Sequence, residues 1–310
     1  MDFTTLGRTG LKVSVAGLGC GGFSRLGLGT GKTEAQAVAL VREALDLGVN
    51  VLDTAAAYST EGVVGQAIKG RPRDTIVIAT KATFGRGGSP QGPEPVIASL
   101  DNSLKQLGTD YVDVFQLHGV PPHNYEHVRD VLVPALLKEK AKGKFRFLGV
   151  TETAPNDHEH KMVARAVPDG MWDTVMIAFH MLHQNARQLV FPATQKHRVG
   201  TLLMFVVRQI FANPDRLSAT LRELKLPDLD FLVHPGGASD VTDAAYRFAR
   251  YEPGVDVALF GTGESAHLKR NIASLLKPPL PDADQQKLRS VYGHLVGIGL
   301  DVPPFAPPVR

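Results

Sequence analysis

Apolar and polar positions in this chain segregate by segment rather than by single residue. Short runs rich in Val, Ile, Leu and Phe fall at 13–19, 49–54, 75–81, 111–118, 145–151, 174–180, 201–205 and 256–262. Polar alternation is missing within them, which is the pattern of parallel strands covered on both faces. Helical spacing takes over between the runs. TEAQAVALVREALDLG (33–48) opens on Thr33 as an N-cap and closes on Gly48. PEPVIASLDNSLKQLG (93–108) sets Pro93 and Pro95 in a first turn and ends on Gly108. HVRDVLVPALLKEKAKG (127–143) keeps the helical period with a kink expected at Pro134, and SDVTDAAYRFARY (239–251) adds a further helix.

Eight such units predict an α/β fold of the closed (β/α)8 type, a TIM barrel with its core at about 13–277. The rival, an open doubly wound sheet, calls for a G-x-G-x-x-G turn between the first strand and first helix. GLGCGGFSRLGLGTG (17–31) has the glycines without that register and reads as a mobile loop. FTTLGRTGLKVS predicts an N-terminal β-hairpin, within about 1–13, that closes the bottom of the barrel. Residues 280–310 read as a C-terminal helix and a Pro-rich tail, VPPFAPPVR, extended over the mouth. No linker interrupts the succession, so 1–310 reads as one domain.

Composition narrows the partners. A net charge of +3, without basic runs carrying interleaved aromatics, argues against nucleic acid. No apolar stretch approaches a membrane span, and MDFTTLGRTG lacks the basic and apolar regions of a secretory signal. The single cysteine, Cys20, excludes an intrachain disulfide framework and a thiolate zinc cluster. Together these predict a cytoplasmic protein, monomeric by default, acting on a small molecule.

In a barrel of this kind, polar residues at the carboxyl ends of the strands converge on one mouth. Asp53 follows the second strand, Tyr58 stands in the next loop, Lys81 ends the third strand and His118 the fourth. Each alone is an ordinary turn, surface or structural residue; together they define a narrow chemistry. A phenol of pKa about 10 is a poor acid at neutral pH. A neighbouring ammonium, Lys81, is expected to lower it, and Asp53 to keep Lys81 charged. His118 could orient a carbonyl oxygen. That set supplies a general acid beside a carbonyl but no nucleophile, no hydrolytic carboxylate pair and no metal cage. A hydride from a reduced nicotinamide fits the missing part.

These residues resemble the aldo-keto reductase superfamily. LGRTGLKVS is similar to its opening hairpin and first strand, DTAAAYSTEGVVGQAI to its D-T-A-x-x-Y-x-x-E segment, and IVIATK to its third strand. SLKQLGTDYVDVFQLH, KGKFRFLGV, FPATQKHRVGTLLM and ALFGTGESAHLKRNIASLL continue the likeness in order. The resemblance implies a catalytic tetrad of Asp53, Tyr58, Lys81 and His118, with Tyr58 as general acid/base. It also implies NADP(H) or NAD(H) across the mouth, NADP(H) being the commoner choice, and interconversion of an aldehyde, ketone or sugar carbonyl with its alcohol.

The implied cofactor residues depart from the family pattern. Thr151 and Glu152 replace the Ser-Asn that clamps the carboxamide, Met176 a glutamine, and Phe179-His180 a Tyr-Asn. Met204 replaces a stacking aromatic, and Phe205-Val206-Val207 a Ser-Pro-Leu, with Arg208 next as a pyrophosphate contact. Gly261, Thr262, Gly263, His267 and Asn271 would meet the adenine end, where basic residues often grip a 2′-phosphate; Lys269 and Arg270 lie nearby. Phe23, Phe84 and Tyr125 could line a substrate pocket, and Trp172 and Phe205 serve either the pocket or the core.

Two other readings stand beside this one. The altered clamp suits a cofactor-binding regulatory protein on the same barrel. The histidine pairs His123/His127, His158/His160 and His180/His183 raise a metal-dependent hydrolase or isomerase. The i, i+2 spacing of His158/His160 would send two ligands to different faces of a helix, and His123/His127, though helically spaced, follow Pro121-Pro122 in a loop outside the strand ends, so no metal is expected.

Overall fold

The computed structural model describes residues 1–86 and 89–300. Two short antiparallel strands, β1 (Phe3–Thr5) and β2 (Lys12–Ser14), form the N-terminal hairpin, with Phe3 opposite Ser14. The barrel strands follow: β3 (Ala16–Gly19), β4 (Val51–Asp53) and β5 (Val77–Thr83). A minor hairpin, β6 (Gly85–Arg86) and β7 (Ser89–Pro90), interrupts them. β8 (Val112–Val120), β9 (Phe145–Glu152), β10 (Thr174–Ala178), β11 (Gly200–Met204) and β12 (Val257–Phe260) complete the set. All eight barrel strands are parallel and closed, β12 pairing back onto β3.

The expected strand at 13–19 is two strands. The Ser14 hydroxyl donates to the Ala16 carbonyl and the Ser14 N–H to Asn50, which turns the chain at Val15 out of the hairpin and into the barrel. The expected Pro134 kink takes another form. A single turn, Tyr125–His127, leads into a π-helical stretch, Val128–Leu132, before the helix Val133–Ala141. Proline lacks the N–H for an i−4 bond, and the wider turn absorbs that loss.

Because strand side chains alternate in direction, parity divides the core in two. Val51, Val77, Ala79, Val114, Met176, Leu202, Val257 and Leu259 pack inside the barrel, closed from below by Leu6, Leu11 and Val13 of the hairpin. Leu52, Ile78, Phe115, Leu148, Ile177 and Leu203 take the other parity and pack outward with the helices. The register follows one rule around the mouth: Gly19 pairs with Asp53, Asp53 with Ala79, Lys81 with Gln116 and Thr83 with His118. Counting by twos, Val51 leads to Asp53, Ala79 to Lys81, and Val114 to Gln116 and then His118. The top layer of the apolar barrel filling is therefore polar.

The C-terminal chain forms a helix, Asp282–Tyr292, and then runs over the mouth. Gly297 N–H donates to His183 Nδ1, and Leu300 is buried against Ala154 and Ala178 beside Met204 and Phe205. The expected Pro-rich tail VPPFAPPVR, residues 302–310, lies outside the described residues. Among the described residues no helix is long and apolar enough to cross a membrane.

Candidate active site

Asp53 and Lys81 form a buried ion pair, with Lys81 Nζ 2.7 Å from Asp53 Oδ1 and 2.8 Å from Oδ2. The ammonium also donates to the Thr54 carbonyl at 2.8 Å. Tyr58 reaches the same place from a 3-10 turn, Ala56–Tyr58, in which its N–H donates to the Ala55 carbonyl. Small alanines let this turn lie close over the strand ends. Ser59 then takes a left-handed φ of 57°, and Arg25 Nε holds the Tyr58 carbonyl at 3.0 Å. The Tyr58 ring centroid is 5.0 Å from Lys81 Nζ, and its hydroxyl is 3.3 Å from His118 Nε2.

Burial decides the protonation states. Desolvation works against the Lys81 charge, but Asp53 and then Tyr58 outweigh it, and the ammonium stays charged. Burial, with Lys81 adding to it, pushes His118 down to about 3, so the imidazole is neutral at ordinary pH. Tyr58 corrects the sequence expectation. Desolvation of the phenolate outweighs the lowering by Lys81, and Asp53 adds to it, so the phenol is held above its ordinary value rather than below.

A cavity of about 670 Å³ opens above this group. Its wall starts at Asp53 and Tyr58 and passes Met176 and Met204–Gln209. It ends at Gly261–Glu264 with His267, Arg270 and Asn271 of the helix Ser265–Leu276. Gly19, Gly21, Gly22, Gly261 and Gly263 line it, leaving backbone open to whatever enters. Arg208 lies between two rings, 4.0 Å from the Phe205 centroid and 5.1 Å from that of Phe23. Met176, Met204, Phe205, Arg208, Gly261, Thr262, Gly263, His267 and Asn271 thus share one wall, and Phe23 joins them.

Thr151 and Glu152 do not. The Thr151 hydroxyl accepts the Gly119 N–H at 2.7 Å, and Glu152 accepts the Ala178 N–H at 2.8 Å while its other oxygen meets His160 Nδ1 at 2.7 Å. Both side chains are spent holding strand ends and neither borders the cavity. Phe84 is buried in the outer core. Tyr125 is buried too, donating to Asp169 and accepting from Trp172 Nε1, so its hydroxyl serves packing away from the mouth. Lys269 pairs with Glu43 at 3.0 Å on the surface, away from the cavity wall that Arg270 joins.

Residues 17–293, nearly the whole strand–helix succession, match the model of the Aldo/keto reductase family. The chain belongs to that family.

Its relatives include L-galactose dehydrogenase of Arabidopsis thaliana, 29% identical over 308 residues and covering 95% of this chain and 94% of the relative. Aldo-keto reductase YhdN of Bacillus subtilis is 25% identical, covering 100% and 99%. Among solved structures, the holo form of aldo-keto reductase AKR11C1 from Bacillus halodurans superposes with a TM-score of 0.75 at 26% identity, covering 94% and 96%. An aldo/keto reductase from Klebsiella pneumoniae, in complex with NADP and acetate, gives 0.72 at 25%, with the same coverage.

This aldo/keto reductase carries groups next to the candidate site that the sequence reading missed. Gln116, fully buried, directs Nε2 at Asp53 Oδ1 from 3.5 Å. It sits two residues before His118 on one strand face, so period-two counting from that histidine would have found it. Lys32 and Glu264, from opposite ends of the chain, form an ion pair at 2.9 Å beside the cavity. No local signal joins them. Among the described residues no group of three or more His, Cys, Asp or Glu is placed to hold a metal ion.

Proposed function

We propose that this aldo/keto reductase interconverts a carbonyl and its alcohol by hydride transfer from NAD(P)H, with Tyr58 as the general acid/base. One observation carries the reading: the Tyr58 hydroxyl stands at the base of a glycine-lined cavity, between neutral His118 and the Lys81–Asp53 pair. A bound nicotinamide would supply the hydride. The cavity fits such a group, offering small-residue walls along its course and the N-terminus of a twelve-residue helix at its far end, where exposed N–H groups favour phosphate. The NADP-bound relative supports the same assignment.

In reduction, the carbonyl oxygen accepts the Tyr58 proton as the carbon gains hydride. Lys81 steadies the phenolate left behind, and Asp53 keeps Lys81 charged. His118, neutral, can donate Nε2–H to the same oxygen and orient it. In oxidation the proton returns to the phenolate. The test is reduction of an aldehyde panel with NADPH and NADH. Tyr58→Phe should remove most of the turnover and leave nucleotide binding intact; unchanged turnover in a folded variant rejects the mechanism. Glu152, drawn away to His160, favours a second reading in which the cofactor is held for regulation. Tight nucleotide binding with no turnover on any carbonyl or alcohol would support it.

A further inference from the structure

We infer that Glu264 makes this enzyme select NAD(H) over NADP(H). The inference rests on the reading that the cavity takes a nicotinamide dinucleotide with its adenosine end at the helix Ser265–Leu276.

Glu264 occupies the N-cap position of that helix and lines the cavity, yet its side chain makes no capping bond. The neighbouring Thr262 hydroxyl takes the Glu264 N–H instead, at 3.0 Å. The carboxylate meets Lys32 Nζ through both oxygens, at 2.9 and 3.1 Å, at the edge of the cavity. The position is fixed by backbone packing. A β-carbon on Gly263 would lie 2.5 Å from Gly27 Cα, and one on Gly27 2.5 Å from Lys32 Cγ. The glycine-rich loop therefore lies directly on the turn that carries Glu264, and the lysine stem lies on the loop.

A carboxylate at this end of the cavity accepts hydrogen bonds from vicinal ribose hydroxyls. A phosphate on one of those hydroxyls brings close to two negative charges and no donor. The cations nearby do not reverse the balance. Lys32 is neutralised by Glu264 itself, and Lys269 by Glu43 on the outer face, where Ser265 also donates to Glu43. Arg270 and His267 line the wall, and Arg270 is the group a 2′-phosphate would use. Replacing Glu264 by Gln removes the negative charge, leaves only a weaker neutral acceptor and frees Lys32 to act with Arg270.

Tryptophan-independent nucleotide fluorescence, titrated with protein, reads binding without turnover. The wild type should bind NADH at least about tenfold more tightly than NADPH, the range of a charge-assisted hydrogen bond. Glu264→Gln should weaken NADH and strengthen NADPH, moving the ratio by about tenfold or more. In Lys32→Met/Glu264→Gln the NADPH gain should shrink to the part that comes from losing the carboxylate, while the NADH loss persists. Wild-type preference for NADPH, or a ratio that Glu264→Gln leaves within twofold, overturns the inference. Failure of the wild type to bind either nucleotide overturns the cofactor reading as well, so the two failures are told apart. Glu264 is half-exposed, and circular dichroism checks that each variant is folded.

Discussion

A β-carbon placed on Gly21 would lie 2.5 Å from Cε2 of Tyr58. The phenol ring occupies the space that any other residue would fill at this point of the glycine-rich loop. Gly21→Ala should displace the ring from His118 and lower turnover by on the order of 10²-fold, with little change in thermal stability, because misplacing a proton donor by an ångström is costly in rate. Steady-state kinetics beside a melting curve checks this; unchanged turnover would show that the ring has room to shift.

The Asp53–Lys81 pair should behave as a unit. Asp53→Leu alone leaves a buried ammonium without its partner and should cost about 3–5 kcal/mol of stability. Asp53→Leu/Lys81→Met should recover most of that loss in denaturant unfolding while activity stays absent. Recovery of turnover in the double variant would mean that Lys81 does not serve the reaction.

The two directions of the reaction should separate with pH. Tyr58 is held above its ordinary value, so the protonated acid persists through neutral and mildly alkaline pH. Reduction should stay flat there, whereas oxidation, which needs the phenolate, should rise toward alkaline pH. Initial rates in both directions decide it, and an oxidation rate that declines above neutrality in a folded enzyme would contradict the assignment.

Acid should unfold the protein early. Burial, first of all, pushes His118 and His180 down to about 3 and His183 to about 2. The unfolded chain therefore binds more protons than the folded one, so stability is present above about 6.5 and is lost as pH falls toward about 3. His160 runs the other way. Burial opposes its charge, but Glu152 and Asn185 outweigh that and hold it above its ordinary value. Its contribution is full below about 6.5 and fades as pH rises through the folded-state value. Unfolding free energies across pH should show the acid limb flattened in His183→Gln, and a limb of unaltered slope would refute the assignment.

The floor should carry stability and not chemistry. Leu6, fully buried, plugs the barrel from below. Leu6→Ala should cost about 2–5 kcal/mol through the cavity it opens. Turnover per folded molecule, measured well below the melting temperature, should hold.

Much of this was legible along the chain because it rests on local rules. Strand runs without alternation report burial on both faces, and the caps at Thr33 and Gly108 stand where the helices 34–46 and 93–107 begin and end. Asp53, Lys81 and His118 could be picked out because each breaks an apolar run at a strand's carboxyl end, which a closed barrel brings together. Other features depended on contacts between distant segments. Tyr58 is raised rather than lowered because desolvation, a property of the assembled mouth, exceeds one neighbouring charge. Glu152 turns to His160 instead of the cavity because the loop after β9 folds that ring back onto it. Tyr125 points to Trp172, 47 positions on, and Lys32 finds Glu264 across 232 positions. Sequence by itself determined the barrel and the polar residues at its strand ends, since period and position suffice for both. Tertiary structure alone decided which of those residues are desolvated, which are spent on one another and which still face the cavity, because burial and pairing are properties of three-dimensional neighbours.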